Sequence, residues 1–183
     1  WCAGAVVTAR SGWGGVGVSG ACCVVDGRGR GRVSYEKDGY PRRGMASTTK
    51  SMAAARALAL DGQAAQVTMR PAWGGVEGSS MYLQAGEVLT VGDLVHGLML
   101  MSGNDAALAL ASLETGDPQD FVARMNQTAQ QLGLEDTAFE TPSGLDGESH
   151  YSTAYDMAVL TAWAMKTPGF ADIAATKSAE RAG

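Results

Sequence analysis

The sequence predicts a mixed chain that opens with β-strands and continues in helices. Three observations carry that reading: extended apolar runs near the start, 3.6-residue apolar periodicity in the later segments, and capping residues where those segments begin. Residues 21–25, Ala-Cys-Cys-Val-Val, read as a buried strand. A glycine-rich turn over 26–31 follows, and 32–36 alternate as its partner, forming a β-hairpin. From Lys50 the residues are strong helix formers, and Gly62 stands where a C-terminal cap belongs. Residues 66–69 and 81–83 are short extended candidates separated by a loop rich in Gly, Pro and Ser. Thr90 can cap a helix whose apolar positions are Val91, Leu94, Val95, Leu98 and Met99. Ser102-Gly103-Asn104 interrupts it, and 106–113 resume the pattern. Asp117-Pro118 starts a helix to Leu132, with the carboxylate as cap and proline at the first helical position. Ser152 or Thr153 starts another that runs to Lys166.

The 183 residues fit one domain, with the main unit expected over 21–183. Residues 1–20 are set apart: five glycines lie between positions 10 and 20, which suits a flexible arm, and 1–7 resemble the tail of an apolar signal segment. No apolar run approaches the roughly 20 residues of a membrane span. A net charge of −5 with scattered basic residues argues against a nucleic-acid surface. Cys2, Cys22 and Cys23 are odd in number, and neighbours in a strand face opposite ways, so Cys22 and Cys23 read as small apolar residues and not as a bridge. His96 and His150 show no metal-ligand spacing, and no metal or organic cofactor is expected.

The chemistry is concentrated in Ser47-Thr48-Thr49-Lys50. Three residues of spacing at the start of a helix put a hydroxyl and an amine one turn apart on one face. A serine hydroxyl becomes a useful nucleophile when a neighbour accepts its proton, and a neutral lysine can do so. To be mostly neutral near pH 7, Lys50 must titrate about 3 units below its ordinary value, a depression that burial and nearby positive charge can produce. Alone, an S-x-x-K tetrad and a Ser102-Gly103-Asn104 turn are each weak signals, since both arise as ordinary helix-start and loop chemistry.

Together they gain weight from their neighbours, because S-x-x-K, S-D-N and K-T-G form the signature of penicillin-binding proteins and class A β-lactamases. Met45-Ala-Ser-Thr-Thr-Lys50, Val76-Glu-Gly-Ser-Ser-Met-Tyr-Leu83, Gly86-Glu-Val-Leu-Thr-Val91, Gly97-Leu-Met-Leu-Met-Ser-Gly-Asn-Asp-Ala-Ala107, Pro142-Ser-Gly-Leu-Asp146 and His150-Tyr-Ser-Thr-Ala-Tyr-Asp-Met157 occur in that order. Over about 21–178 the chain resembles the low-molecular-mass penicillin-binding proteins that are serine-type D-Ala-D-Ala carboxypeptidases. The resemblance implies an α/β fold of the β-lactamase/transpeptidase type, an antiparallel sheet flanked by helices plus a helical subdomain. It makes Ser47 the acylated nucleophile, Lys50 its general base, Ser102 a proton relay and Asn104 a ligand of the substrate amide. It also implies the D-Ala-D-Ala end of a peptidoglycan stem peptide as substrate, β-lactams as acylating inhibitors, and a place outside the cytoplasmic membrane.

The third word is missing: Lys166-Thr167-Pro168-Gly169 carries a proline and reads as a helix stop, and Lys177-Ser178 lacks the glycine. The expectation is therefore a chain truncated before K-T-G, without the C-terminal strands and with weak or no turnover. Met45, Ser51 and Thr141 are lesser departures from the family's pattern. Gly44 and Gly97 stand out more, glycine inside a helix costing about 1 kcal/mol relative to alanine. A class A-like β-lactamase is the competing enzyme, although no E-x-x-x-N word supports it. A noncatalytic binder of penicillin or cell-wall peptide is the competing nonenzyme.

Overall fold

Residues 4–9, 21–26, 33–113, 115–145 and 147–180 are described by the structure, a computed structural model. In chain order the elements are β1 (Gly4–Ala9), β2 (Ala21–Asp26), β3 (Val33–Lys37), β4 (Arg43–Gly44), a 3-10 turn (Ala46–Thr49), α1 (Lys50–Asp61), β5 (Gln66–Thr68), a 3-10 turn (Pro71–Trp73), β6 (Val88–Thr90), α2 (Val91–Leu100), α3 (Asn104–Ala111), α4 (Pro118–Gln131), β7 (Tyr151–Ser152), α5 (Ala154–Ala164) and α6 (Phe170–Ala175).

Strands β1, β2 and β3 form an antiparallel sheet in that order. The expected hairpin of β2 and β3 is present, while its glycine-rich turn and the 10–20 arm lie outside the described residues. Gly4–Ala9, where the sequence suggested an arm or signal remnant, pairs along β2 from Gly4 opposite Asp26 to Ala9 opposite Ala21. Alternation puts Ala21, Cys23 and Val25 on one face, where they are buried with Ala154 and Ala158 of α5. Small residues on both sides let the helix lie close to the sheet. Cys23 is buried, as an apolar residue would be placed.

Helix α1 is the hub of the second and larger core. Met52, Ala53, Ala54, Ala55, Ala57 and Leu58 are all buried, so the helix is apolar on nearly every side and sits among its neighbours. Around it lie Val91, Leu94, Val95 and Leu98 of α2, Phe121 and Met125 of α4, Leu160 of α5 and Ile173 of α6. The start signals behave as their chemistry requires. Thr90 and Asp93 form a reciprocal capping box on α2, the Asp117 carboxylate accepts from the Gln119 N–H on α4, and Thr153, rather than Ser152, caps α5.

Two expectations fail for tertiary reasons, the strand at 81–83 and the helical setting of Gly44. Gln66–Thr68 does form a strand and pairs with Val88–Thr90. Residues 81–83 are irregular, because the Met81 and Leu83 N–H groups donate to the Asp105 carboxylate and not to a strand. Gly44 lies in β4 rather than in a helix, so no helix penalty applies there. The stop after α5 holds, yet Gly169, in the left-handed region with φ 82°, opens a further helix, α6.

Candidate active site

The two words of the sequence meet in space. The short β4–β7 ladder, Arg43 opposite Ser152 and Gly44 opposite Tyr151, fixes the chain just before the 3-10 turn that holds Ser47. In a 3-10 turn side chains three apart eclipse, so the Ser47 hydroxyl and the Lys50 amine face the same way, 3.3 Å apart. Ser102, 55 residues on, donates its hydroxyl to Ser47 Oγ at 2.7 Å. Ser47 is exposed at the surface, Ser102 is half-buried, and Lys50 is only 3% exposed. The Ser47 hydroxyl is thus open to solvent while the Lys50 amine stays out of water.

Burial depresses the Lys50 amine from 10.5 to about 8. Of the two causes the sequence allowed, burial is the one at work, and the depression is smaller than the roughly 3 units that a mostly neutral lysine requires. About one amine in ten is then neutral at pH 7. Nζ also donates to the Ser143 carbonyl at 2.5 Å. In the neutral amine that bond uses one N–H and helps aim the lone pair, and Ser47 Oγ lies within its reach.

Ser102 and Asn104 belong to the junction between α2 and α3. Ser102 has φ 57°, a left-handed conformation that costs a non-glycine residue about 1 kcal/mol. It is held there by its surroundings. The Asn104 N–H donates to the Ser79 carbonyl at 2.7 Å and its side-chain amide donates to the Glu77 carbonyl at 2.7 Å. Asp105, fully buried, accepts from Ser80 Oγ at 2.7 Å, the Met81 N–H at 3.0 Å and the Leu83 N–H at 3.1 Å. Burial alone raises the Asp105 carboxyl, but these donors and the Ala106 N–H outweigh it and hold it below its ordinary value. Segment 77–83 is thereby fastened to the Ser102 junction. Gly97, which looked costly in sequence, has a reason here: a Cβ at that position would lie 1.9 Å from Met81 Sδ.

Sequence reasoning placed Ser47, Lys50, Ser102 and Asn104, and the structure brings the first three into one hydrogen-bonded group, with Asn104 one turn away against segment 77–83. It missed the Ser143 carbonyl, 93 residues from Lys50, and the Asp105 clamp. Asp105 follows Asn104 directly, which was the available signal. The Ser143 carbonyl left none, since a main-chain oxygen has no residue identity. Among the described residues no group of His, Cys, Asp and Glu is arranged to hold a metal ion, and no helix is long and apolar enough to cross a membrane.

The fold is that of the penicillin-binding and transpeptidase proteins, and within that class residues 18–182 match the D-alanyl-D-alanine carboxypeptidase family, to which the chain belongs. D-alanyl-D-alanine carboxypeptidase DacF of Bacillus subtilis is 38% identical over 138 residues, 73% of this chain and 36% of that protein. A crystal structure of a D-alanyl-D-alanine carboxypeptidase from Mycobacterium tuberculosis superposes with a TM-score of 0.81 at 37% identity, covering 87% of this chain and 60% of that one. Penicillin binding protein 6B from Escherichia coli gives 0.73 at 35%, covering 78% and 49%. The chain spans about a third of the length of DacF.

Proposed function

We propose that the chain carries the acylation half of a serine-type D-Ala-D-Ala carboxypeptidase, acting on peptidoglycan stem peptides outside the cytoplasmic membrane and acylated by β-lactams. The observation that carries this reading is the Lys50–Ser47–Ser102 group, with its amine buried and its nucleophile open. In the reaction, Ser47 Oγ attacks the carbonyl of the penultimate D-Ala as its proton passes to Lys50 Nζ. The tetrahedral centre then collapses, the C–N bond breaks, and the terminal D-Ala leaves with a proton delivered from Lys50 through the Ser102 hydroxyl. Water hydrolyses the resulting ester and restores Ser47. In this reading Asn104 is the ligand of the substrate's amide, and its side chain donates to the Glu77 carbonyl. The helix N-terminus under Ser47 favours the charge that develops on the substrate oxygen.

No K-T-G word occurs in the 183 residues, so acylation and turnover are separate questions. A fluorescent penicillin distinguishes them. Labelling is expected at Ser47, absent in Ser47→Ala, with a rate that rises with pH through a midpoint near the Lys50 value of about 8. The sign follows from the group: below that value Lys50 is an ammonium and cannot accept the proton, and above it the base is present. No labelling of the unvaried chain would overturn the reading, and rapid hydrolysis of the drug would assign a β-lactamase instead.

A further inference from the structure

One turn, residues 141–145, brings a carbonyl onto the Lys50 amine. Ser143 and Gly144 are buried, and Gly144 lies so close to the catalytic turn that a Cβ there would meet the Ala46 carbonyl oxygen at 1.9 Å and Thr49 Oγ1 at 2.9 Å. Its φ of 84° suits glycine as well. Within the turn, the Gly144 N–H donates to Thr141 Oγ1 and the Leu145 N–H reaches Ser143 Oγ, contacts that shape it without attaching it to anything else. Attachment at its base is provided by a buried histidine. His150 Nδ1 accepts from the Glu140 N–H at 3.0 Å, which makes Nε2 the protonated nitrogen of the neutral ring, and Nε2 contacts Thr49 Oγ1 at 2.7 Å. Thr49 is fully buried and adjoins Lys50 in the chain.

We propose that His150 is a positioning residue for Lys50: its ring ties Thr49, in the turn that carries Ser47 and Lys50, to the segment whose Ser143 carbonyl holds the lysine amine. The proposal rests on the reading of Lys50 as the base. Each imidazole nitrogen serves one side of the tie, so the Ser143 carbonyl is kept in register with the amine and water is kept from it. If the tie is cut at Thr49, the 141–145 turn is free to lift at that edge, the amine is hydrated, and its titration returns toward the ordinary lysine value. A purely structural role for His150 would lower stability without moving that titration.

The test follows Lys50 Nζ by NMR in the lysine-labelled 183-residue chain, its signal assigned by its loss in Lys50→Met. His150→Asn keeps an acceptor for the Glu140 N–H and loses the reach to Thr49. Thr49→Val deletes the hydroxyl from the other side, and Thr49→Ser retains it. The unvaried chain and Thr49→Ser are expected to titrate near 8. His150→Asn and Thr49→Val are expected about 1 unit higher, with a correspondingly slower penicillin labelling at pH 7. The proposal is overturned if folded His150→Asn and Thr49→Val titrate as the unvaried chain does, or if Lys50 of the unvaried chain titrates at the ordinary value. Should His150→Asn not fold, Thr49→Val alone decides. The titration needs no penicillin, so a chain that does not label refutes the carboxypeptidase reading and leaves this measurement decisive.

Discussion

The two halves of the site are held by opposite means. Ser47 and Lys50 sit at the head of an alanine-rich helix buried in the larger core, and the amine's chemistry comes from removing it from water. Ser102 and Asn104 sit at a break between helices, and what holds them is polar: a buried carboxylate collecting hydroxyl and N–H donors from segment 77–83, and main-chain bonds to Glu77 and Ser79. In the first half a charge is destabilised by the loss of its hydration. In the second a charge is satisfied so that a left-handed serine stays in place. The same low-dielectric burial thus lowers a lysine that lacks a counter-charge and, outweighed by hydrogen bonds, leaves an aspartate ionised.

This contrast has measurable consequences. Asp105→Ala strands several buried donors at once and is expected to cost about 3–5 kcal/mol in urea unfolding, with loss of penicillin labelling. A cost no larger than that of a surface substitution would break the comparison. Gly97→Ala drives a methyl into Met81 and is expected to cost about 2 kcal/mol. Adding Met81→Ala should recover much of that loss, and additive effects in the double variant would show that segment 77–83 does not rest on Gly97. Lys50→Met has the reverse sign: replacing the buried ammonium by an apolar chain is expected to stabilise the fold by about 1–2 kcal/mol at pH 7 while abolishing labelling. Folding lowers Lys50 from 10.5 to about 8, so the unfolded chain binds its proton more tightly and this group adds stability as pH rises between those values. The advantage of Lys50→Met should therefore shrink toward pH 10, and a constant advantage would sink the account.

What was legible in the sequence follows from the range of the interactions. Thr90, Asp117 and Thr153 act on N–H groups two or three residues away, and their caps were readable for that reason. Ser47 and Lys50 are one turn apart, so their meeting needed only a helical start. The irregularity of 81–83 was not readable, because it is set by Asp105, more than twenty residues on, which takes the N–H donors of Met81 and Leu83. Helix α6 was hidden for a local reason: Lys166-Thr167-Pro168-Gly169 does stop one helix, but its glycine also starts the next.

By itself the sequence determined that a serine hydroxyl and a lysine amine share one face at a helix start, the break that carries Ser102 and Asn104, and the order of words that places the chain in its family, since all of these depend on spacing along a few residues. Only the tertiary structure decided that Ser102 lies 2.7 Å from Ser47, that the Ser143 carbonyl attends Lys50, and that His150 reaches Thr49 across 101 positions. The reason is physical. Spacing settles which side chains share a turn, whereas desolvation and hydrogen-bond satisfaction depend on everything that surrounds a group, and that is settled when the whole chain closes around it.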